Sequence, residues 1–510
     1  MLTKVASVTN YGLKAVEIEV EVNVADKGFP SFGIVGIASK SGEELKERVK
    51  TAIINTDIDF RPMKITVNLA PADLPKEGSG YDLPIAVGIL SSMGELSLGK
   101  EKAYFYGELS LDGTLRHTRG VFLLAILAKE QGVKNIFVPR LCANEASVVE
   151  GVKVFPVDSL KSLMLHLSGC KEIVPLETVI PEEILGDIHP EFDFGEVLGQ
   201  EMAKRALEIA ASGGHNIFMM GPPGSGKTML SRAAAGILPD LSERESLEVT
   251  KIFSITGNIP AGGSLIRQRP FRSPHHTTSL VGLIGGGSIP HPGEVSMAHR
   301  GVLFLDEFPE FGRNTLEALR QPLEDGQVTI SRAAGSVNFP AKFMLIAAAN
   351  PCPCGFLGDP KKECKCTVHQ IVNYQKKLSG PIMDRIDLHL NVPAVDINKL
   401  MLDKMDNNGA EKSEVIKNRV KEARNIQRKR FEKVEGVYCN SDMKNIHLKE
   451  FAKLTKEANL LLKQAVNKFN LSARTYFRLI KVARTIADLG NSIDITDSHI
   501  AEALQFRVRE

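Results

Sequence analysis

One short stretch constrains this chain more than any other. Asn216–Met220 (NIFMM) has the length and apolar content of a buried strand. It runs directly into Gly221-Pro222-Pro223-Gly224-Ser225-Gly226-Lys227-Thr228, and Met229–Ile237 follows with a helical composition. Glycines at these places let a backbone curl with its N–H groups inward, and a helix N-terminus behind them adds partial positive charge. Such a loop holds phosphate. Lys227 is placed to reach the β and γ phosphates of a nucleotide, and Thr228 offers its hydroxyl to Mg²⁺. Strand, loop and helix in this order call for an α/β fold.

A second element supplies acids. Val302-Leu-Phe-Leu305 reads as a central strand with Asp306 and Glu307 at its C-terminal end. That is the end at which ligands sit in open α/β sheets. Asp306 is expected in the Mg²⁺ shell, and Glu307 is expected to polarise an attacking water, as phosphoanhydride hydrolysis requires. Another apolar strand, Phe343–Ala349, ends at Asn350, whose amide can orient that water. An Asn before Pro351 also serves as a turn former.

The rest of the chain fits around these motifs. Its 510 residues suffice for about three domains. Hydrophobic residues make up 43% and charged residues 24%, an ordinary globular mix that excludes a mainly disordered chain. The longest apolar runs, Leu83–Leu90 and Val121–Ala128, have about eight residues, against roughly 18 for a membrane span. The first residues alternate apolar and polar and lack a signal-peptide core, so a cytoplasmic location without membrane contact is expected.

Residues 1–172 alternate strands (Lys14–Val24, Met63–Leu69, Asn135–Val138) with helices (Gly42–Thr56, Tyr81–Leu90). Residues 173–194, rich in Pro and acid, read as a linker. Residues 195–393 carry every strong motif. Residues 394–510 are helical, with Ser413–Phe431 and Leu448–Phe469 as helices and Asp403–Ala410 as a loop.

Net charge is +2 overall, but from Asn391 to Glu510 there are 23 Lys and Arg against 16 Asp and Glu. A basic C-terminal region fits nucleic acid and equally fits a solvated helical surface. Of seven cysteines, Cys352, Cys354, Cys364 and Cys366 are bunched as two C-x-C pairs. Four thiolates suit structural Zn²⁺; free thiols or a redox pair are the alternative, and His369 is a possible substitute ligand.

With these residues in place, the chain resembles a magnesium-chelatase-like AAA+ ATPase of the YifB/ComM family. The stretches that carry the resemblance are NLAPADLPKEG, LGQEMAKRALEIAA, GPPGSGKTML, RPFRSPHHTTS, PGEVSMAHRGVLFLDEF, AAANPCPCG, GPIMDRIDLHL and LSARTYFRLIKVARTIADL, spread from residue 68 to residue 489. The resemblance implies an ATPase with ATP and Mg²⁺, assembled as a homo-oligomeric ring, most simply a hexamer. It implies a central AAA+ core and a C-terminal helical lid. Asn350 matches the sensor asparagine, Arg385 the arginine that reaches a neighbour's ATP, and Arg474 the sensor arginine of the lid. A guanidinium at the γ-phosphate offsets charge developing in the transition state.

Two insertions are expected to face the ring's pore. One contains Arg267, Arg269 and Arg272 with His275, His276 and Gly285–Gly287. The other is a hairpin over 327–339 with Arg332 at its tip. Such a hairpin contacts DNA in related ring helicases; a plain solvent-exposed hairpin is the alternative. Pro75–Asp82 and the helix after it resemble the active-site turn of the Lon-protease-like (ribosomal protein S5 domain 2-like) α+β fold. The catalytic serine and lysine positions fall on Gly80 and near Phe122, and Ser79 is one residue off, so peptidase activity is not expected. Three functions compete: a DNA branch-migration motor in recombination or natural transformation, a metal-chelatase-type or protein-remodelling ATPase, and a protease. The resemblance and the basic hairpin favour the first.

Overall fold

The computed structural model describes residues 2–25, 28–56, 58, 60–74, 76, 80–177, 192–260, 262–288, 290–332, 335–359, 362–378, 380–394 and 411–507. The alternation near the N-terminus produces a long hairpin. Leu2–Tyr11 pairs antiparallel with Lys14–Ala25, and Val5, Ile18, Val20 and Val22 face inward. These two strands centre a mixed seven-stranded sheet in the order Ser31–Val35, Lys64–Ala70, Lys14–Ala25, Leu2–Tyr11, Ala103–Phe105, Asn135–Pro139, Lys153–Val157. The two longest apolar runs are the helices Asp82–Met93 and Val121–Glu130. The second is apolar on nearly all sides because it packs on its own sheet and against helix Glu243–Thr256 of the next region.

Residues 192–394 surround a five-stranded sheet in the order Phe271–Arg272, Val302–Leu305, Met344–Ala349, Ile217–Met220, Leu388–Asn391, with every neighbouring pair parallel. Val302–Leu305 and Met344–Ala349 are buried throughout, as strands covered on both faces must be. Phe271–Arg272 corrects one expectation. The RQRPFR stretch is not surplus chain, because its end is the edge strand beside Val302–Leu305. The hairpin forms as expected from Gln327–Arg332 and Gly335–Pro340. Val328, Ile330, Val337 and Phe339 point into the core, and Tyr11 and Leu13 from the N-terminal hairpin pack against that cluster.

The C-terminal region is helical over Ser413–Arg430, Asn445–Phe451, Lys456–Phe469, Ala473–Leu489 and Asp497–Gln505. The single helix expected over Leu448–Phe469 is split. Leu454 bridges to Ile495, and the Thr455 hydroxyl caps the next helix by accepting from the Ala458 N–H. Most of the expected linker, and the loop Asp403–Ala410, lie outside the described residues. The linker's ends are not linker: Leu176 bridges to Val154, and Phe194 is wholly buried in the core. No helix among the described residues is long and apolar enough to cross a membrane.

Asp387 joins the C-terminal helices to the sheet. Its carboxylate accepts from the Asn216 N–H at 3.0 Å and from Arg478, with His215 Nδ1 at 3.5 Å. Burial pushes this carboxyl up, but Arg478 and His215 more than offset it and hold it well below the usual carboxylate range. Removing one partner of a buried pair strands the other. Asp387→Ala should therefore cost about 3–5 kcal/mol, read from the denaturant midpoint of the full chain. A loss below about 1 kcal/mol would show that the tie contributes little.

Candidate functional site

The phosphate loop takes the conformation that its glycines permit. Gly224 and Gly226 have φ of 78° and 87°, which side chains rarely adopt. A Cβ at either would meet nothing within 4 Å, so both glycines border open space. The Lys227 ammonium donates to the carbonyls of Gly221 at 2.7 Å and Pro222 at 2.9 Å, and to Asn350 Oδ1 at 3.3 Å. Burial lowers its pKa, partly opposed by Asp306. A buried cation held, among the described residues, by neutral oxygens beside an open loop is the arrangement that phosphate oxygens complete. The residues present thus fit a nucleotide.

The acids converge on the same edge. Thr228 Oγ1 donates to Asp306 Oδ2 at 2.7 Å, which pairs two hard oxygens within reach of one small cation. Glu307, next in the chain, has φ of 50° and projects beyond the strand, with its carboxylate 54% exposed. Its Oε2 lies 3.1 Å from His276 Nδ1. Sequence reasoning groups His276 with the basic insert and misses this pairing. A signal for it exists: once Phe271–Arg272 is read as a strand parallel to Val302–Leu305, His276 must emerge at the edge that carries Glu307.

Arg385 and Arg474 sit elsewhere. Asn216, at the start of strand Ile217–Met220, donates from its side chain to the Arg385 carbonyl at 3.1 Å. The phosphate loop begins at the strand's other end, so four residues, or roughly 13 Å, separate the two edges. Arg385 is almost fully buried. Its guanidinium lies 2.6 Å from Glu324 Oε1, donates to the Pro381 carbonyl and leaves Nε without an acceptor among the described residues. Arg474 donates to the same Glu324 oxygen at 2.7 Å. One carboxylate therefore gathers both arginines, and together they lower its pKa. Arg474 does not lie over its own chain's phosphate loop, as a lid sensor acting within one subunit would. A cleft of 620 Å³ opens at this second edge, lined in part by Glu324 and Arg474.

The expected DNA contacts separate. Arg332 is exposed at the hairpin end and donates from Nε to the Gly287 carbonyl at 3.2 Å, so hairpin and glycine ribbon adjoin. Ala333 and Ala334 lie outside the described residues. Arg269 must be withdrawn as a DNA contact. Its side chain is 10% exposed and donates to both oxygens of Glu245 at 3.0 Å. Burial pushes the Glu245 carboxyl up, but Arg269 outweighs it and leaves the group at about 2. Arg272 is likewise engaged, by Glu294 at 2.6 and 2.8 Å. Arg267 is partly exposed.

The four clustered cysteines come together. All four sulfur atoms lie within 4.8 Å of one another, and Cys352 is fully buried. The Phe356 N–H beside Cys354 helps to bring that thiol down to about 6. His369 is exposed and contacts Asn373 instead. In the N-terminal region, a Cβ at Gly80 would overlap the Tyr106 ring, and Phe122 is fully buried, so neither position can present a serine–lysine pair; Ser79 lies outside the described residues.

Comparison with known proteins agrees along the chain. Residues 193–400 match the family model described as magnesium chelatase, subunit ChlI; residues 20–141 match subunit ChlI of Mg-chelatase; residues 410–507 match the ChlI C-terminal model. The chain is 41% identical over 511 residues to the competence protein ComM of Haemophilus influenzae, covering 99% of this chain and 97% of that one. It is 42% identical over 498 residues to the YifB protein of Escherichia coli, covering 97% and 95%. The magnesium-chelatase 38 kDa subunit of Rhodobacter capsulatus is 27% identical over 180 residues, 32% of this chain and 51% of its own length. Similarity at this level over almost the whole length places the chain in the magnesium-chelatase-like AAA+ family, in its YifB/ComM group.

Proposed function

We propose that this chain is a Mg²⁺-dependent ATPase that works as a ring, most simply a hexamer, and moves DNA in the cytoplasm. One observation carries the ATPase reading: an open glycine cradle, a cation held ready by neutral oxygens, a Thr–Asp oxygen pair and a projecting carboxylate meet at one sheet edge. Lys227 exchanges its carbonyl partners for β and γ phosphate oxygens, which the inward loop N–H groups of Gly221–Thr228 also bind. Thr228 and Asp306 hold the metal; bound Mg²⁺ supplies neutralisation of phosphate charge. Glu307 takes the proton of the attacking water, and Asn350, already touching Lys227, orients that water. His276 holds Glu307 in the resting subunit. Arg385 and Arg474, at the far edge, serve the nucleotide of a neighbouring copy.

The same reading divides the chain into a Lon-like domain without its catalytic dyad (1–172), a linker (173–194) whose ends at Leu176 and Phe194 pack onto the flanking domains, the AAA+ core (195–393) and a helical domain (394–510). Cys352, Cys354, Cys364 and Cys366 bind structural Zn²⁺. The DNA reading is supported by the exposed Arg332 and by a relative that is a competence protein; Arg267, partly exposed, is a further candidate contact. A chelatase-type or protein-remodelling ATPase is the second reading, favoured by family models that describe a magnesium-chelatase subunit.

Glu307→Gln should keep nucleotide affinity, followed with a fluorescent ATP analogue, while phosphate release falls by about 10²–10⁴-fold. Near-normal turnover would remove Glu307 from the chemistry. For DNA, the comparison is ATP turnover with and without forked DNA. Arg332→Ala should lose most of the stimulation while basal turnover changes little, and wild-type DNA affinity should fall steeply with salt as counterions are released. Full stimulation in Arg332→Ala would take the hairpin off the DNA. No DNA affinity at low salt in the wild type would favour the remodelling reading.

A further inference from the structure

The cysteine knuckle stands against the nucleotide site. Cys352 follows Asn350 by two residues, and the turn it begins is pressed onto the phosphate loop. Gly355 has φ of 84° and donates its N–H to the Cys352 carbonyl at 2.9 Å. A Cβ on Gly355 would lie 2.6 Å from Pro223 Cδ and 3.8 Å from Asn350 Cγ. Only a residue without a side chain can bring this backbone so near Pro223, while Asn350 lies at ordinary contact distance on the same side. Asn350 in turn touches Lys227 at 3.3 Å. Pro223, Gly355, Asn350 and Lys227 thus form a continuous line from the sulfur cluster to the phosphate-binding cation.

The segment beyond this contact carries few apolar side chains. Cys352 is buried, but Cys354, Cys364 and Cys366 are only partly covered, and GFLGDPKKE between the pairs supplies almost no core. The sulfurs nonetheless gather. The Cys352–Cys354, Cys352–Cys364 and Cys354–Cys364 separations are 3.4, 3.7 and 3.6 Å. Tetrahedral Zn²⁺ with bonds of about 2.3 Å would space its sulfurs by about 3.8 Å. The Cys354 N–H donates to Cys366 Sγ at 3.4 Å, the kind of outer hydrogen bond that orients a thiolate ligand.

We propose that Zn²⁺ in this four-cysteine knuckle is the brace of the phosphate loop: the ion fixes the turn Cys352–Gly355, and the turn fixes Pro223 and Asn350. Metal binding then shapes a site that the metal does not touch. Gly355 is a positioning residue, because it reaches nucleotide only through its neighbours. The proposal rests on the nucleotide reading of the loop and on zinc as the knuckle's ion.

The test uses the full-length protein in three forms: wild type, Cys364→Ser with Cys366→Ser, and Gly355→Ala. Metal content is measured by mass spectrometry. Hydrogen–deuterium exchange is followed, without nucleotide, in peptides covering 217–230 and 344–366. One zinc per wild-type chain and none in the double variant are expected. Exchange in 217–230 should rise about tenfold in the double variant, and ATP turnover should fall by about 10²-fold, the cost of a misplaced catalytic group. Gly355→Ala should keep its zinc and still show faster exchange in 217–230, which separates a brace from general loss of folding. Zinc-free wild type, or exchange in 217–230 unchanged in both variants, overturns the proposal. Exchange is read without nucleotide, so these outcomes keep their meaning even if the wild type fails to bind ATP, a result that would instead overturn the nucleotide reading.

Discussion

A parallel sheet has two unlike edges, and this chain divides its chemistry between them. All five strands of the central sheet run the same way, so every loop that follows a strand emerges on one side. The phosphate loop, Asp306, Glu307, Asn350 and His276 gather there. Arg385 precedes its strand and is tied to Asn216, so it is fixed to the opposite side. Strand length then decides the matter: side-chain reach is too short to carry Arg385 around the sheet to its own chain's nucleotide. On the reading proposed above, a site that uses both sets of residues is assembled from two copies.

Ion pairing keeps the arginines of the far edge in order. Asp387 is buried between the Asn216 N–H, His215 and Arg478 and joins the helix Ala473–Leu489 to the strand that follows it in the sheet. Glu324 gathers Arg385 and Arg474 on one oxygen. On the proposed reading, a neighbour's triphosphate competes with Glu324 for these guanidinium groups, and the buried Nε of Arg385, without an acceptor among the described residues, is free to join it. The near edge is poised in the same way, with Lys227 on carbonyls and Glu307 on His276. Both edges hold their charged groups against internal partners that a nucleotide can replace.

Local signals were legible in the sequence, and distant partnerships were not. The phosphate loop, the strand before Asp306 and the hairpin around Arg332 depend on neighbours in the chain, and each appears where the pattern places it. Arg269 reads as a DNA contact because nothing local reveals Glu245, 24 residues away, whose carboxylate it occupies in the fold. Glu324 and Arg474 are separated by 150 residues and meet only after the C-terminal helices pack. The break between Phe451 and Lys456 has one local sign, the capping Thr455, but its other cause is distant: Ile495, which Leu454 pairs with, is supplied by the loop after the helix Ala473–Leu489. His276 is visible as a residue but not as a partner, because the two-residue strand before it is too short to show a period.

The division of the site between copies can be measured by mixing two inactive proteins. Lys227→Ala and Arg385→Ala should each lose at least about 10³-fold in ATP turnover on their own. Combined, and shown by native mass spectrometry to share rings, they should recover a measurable fraction of wild-type turnover, because some interfaces then pair an intact Lys227 with an intact Arg385. Mixed rings that form and stay inactive at every ratio would contradict a site built from the opposite edges of two copies.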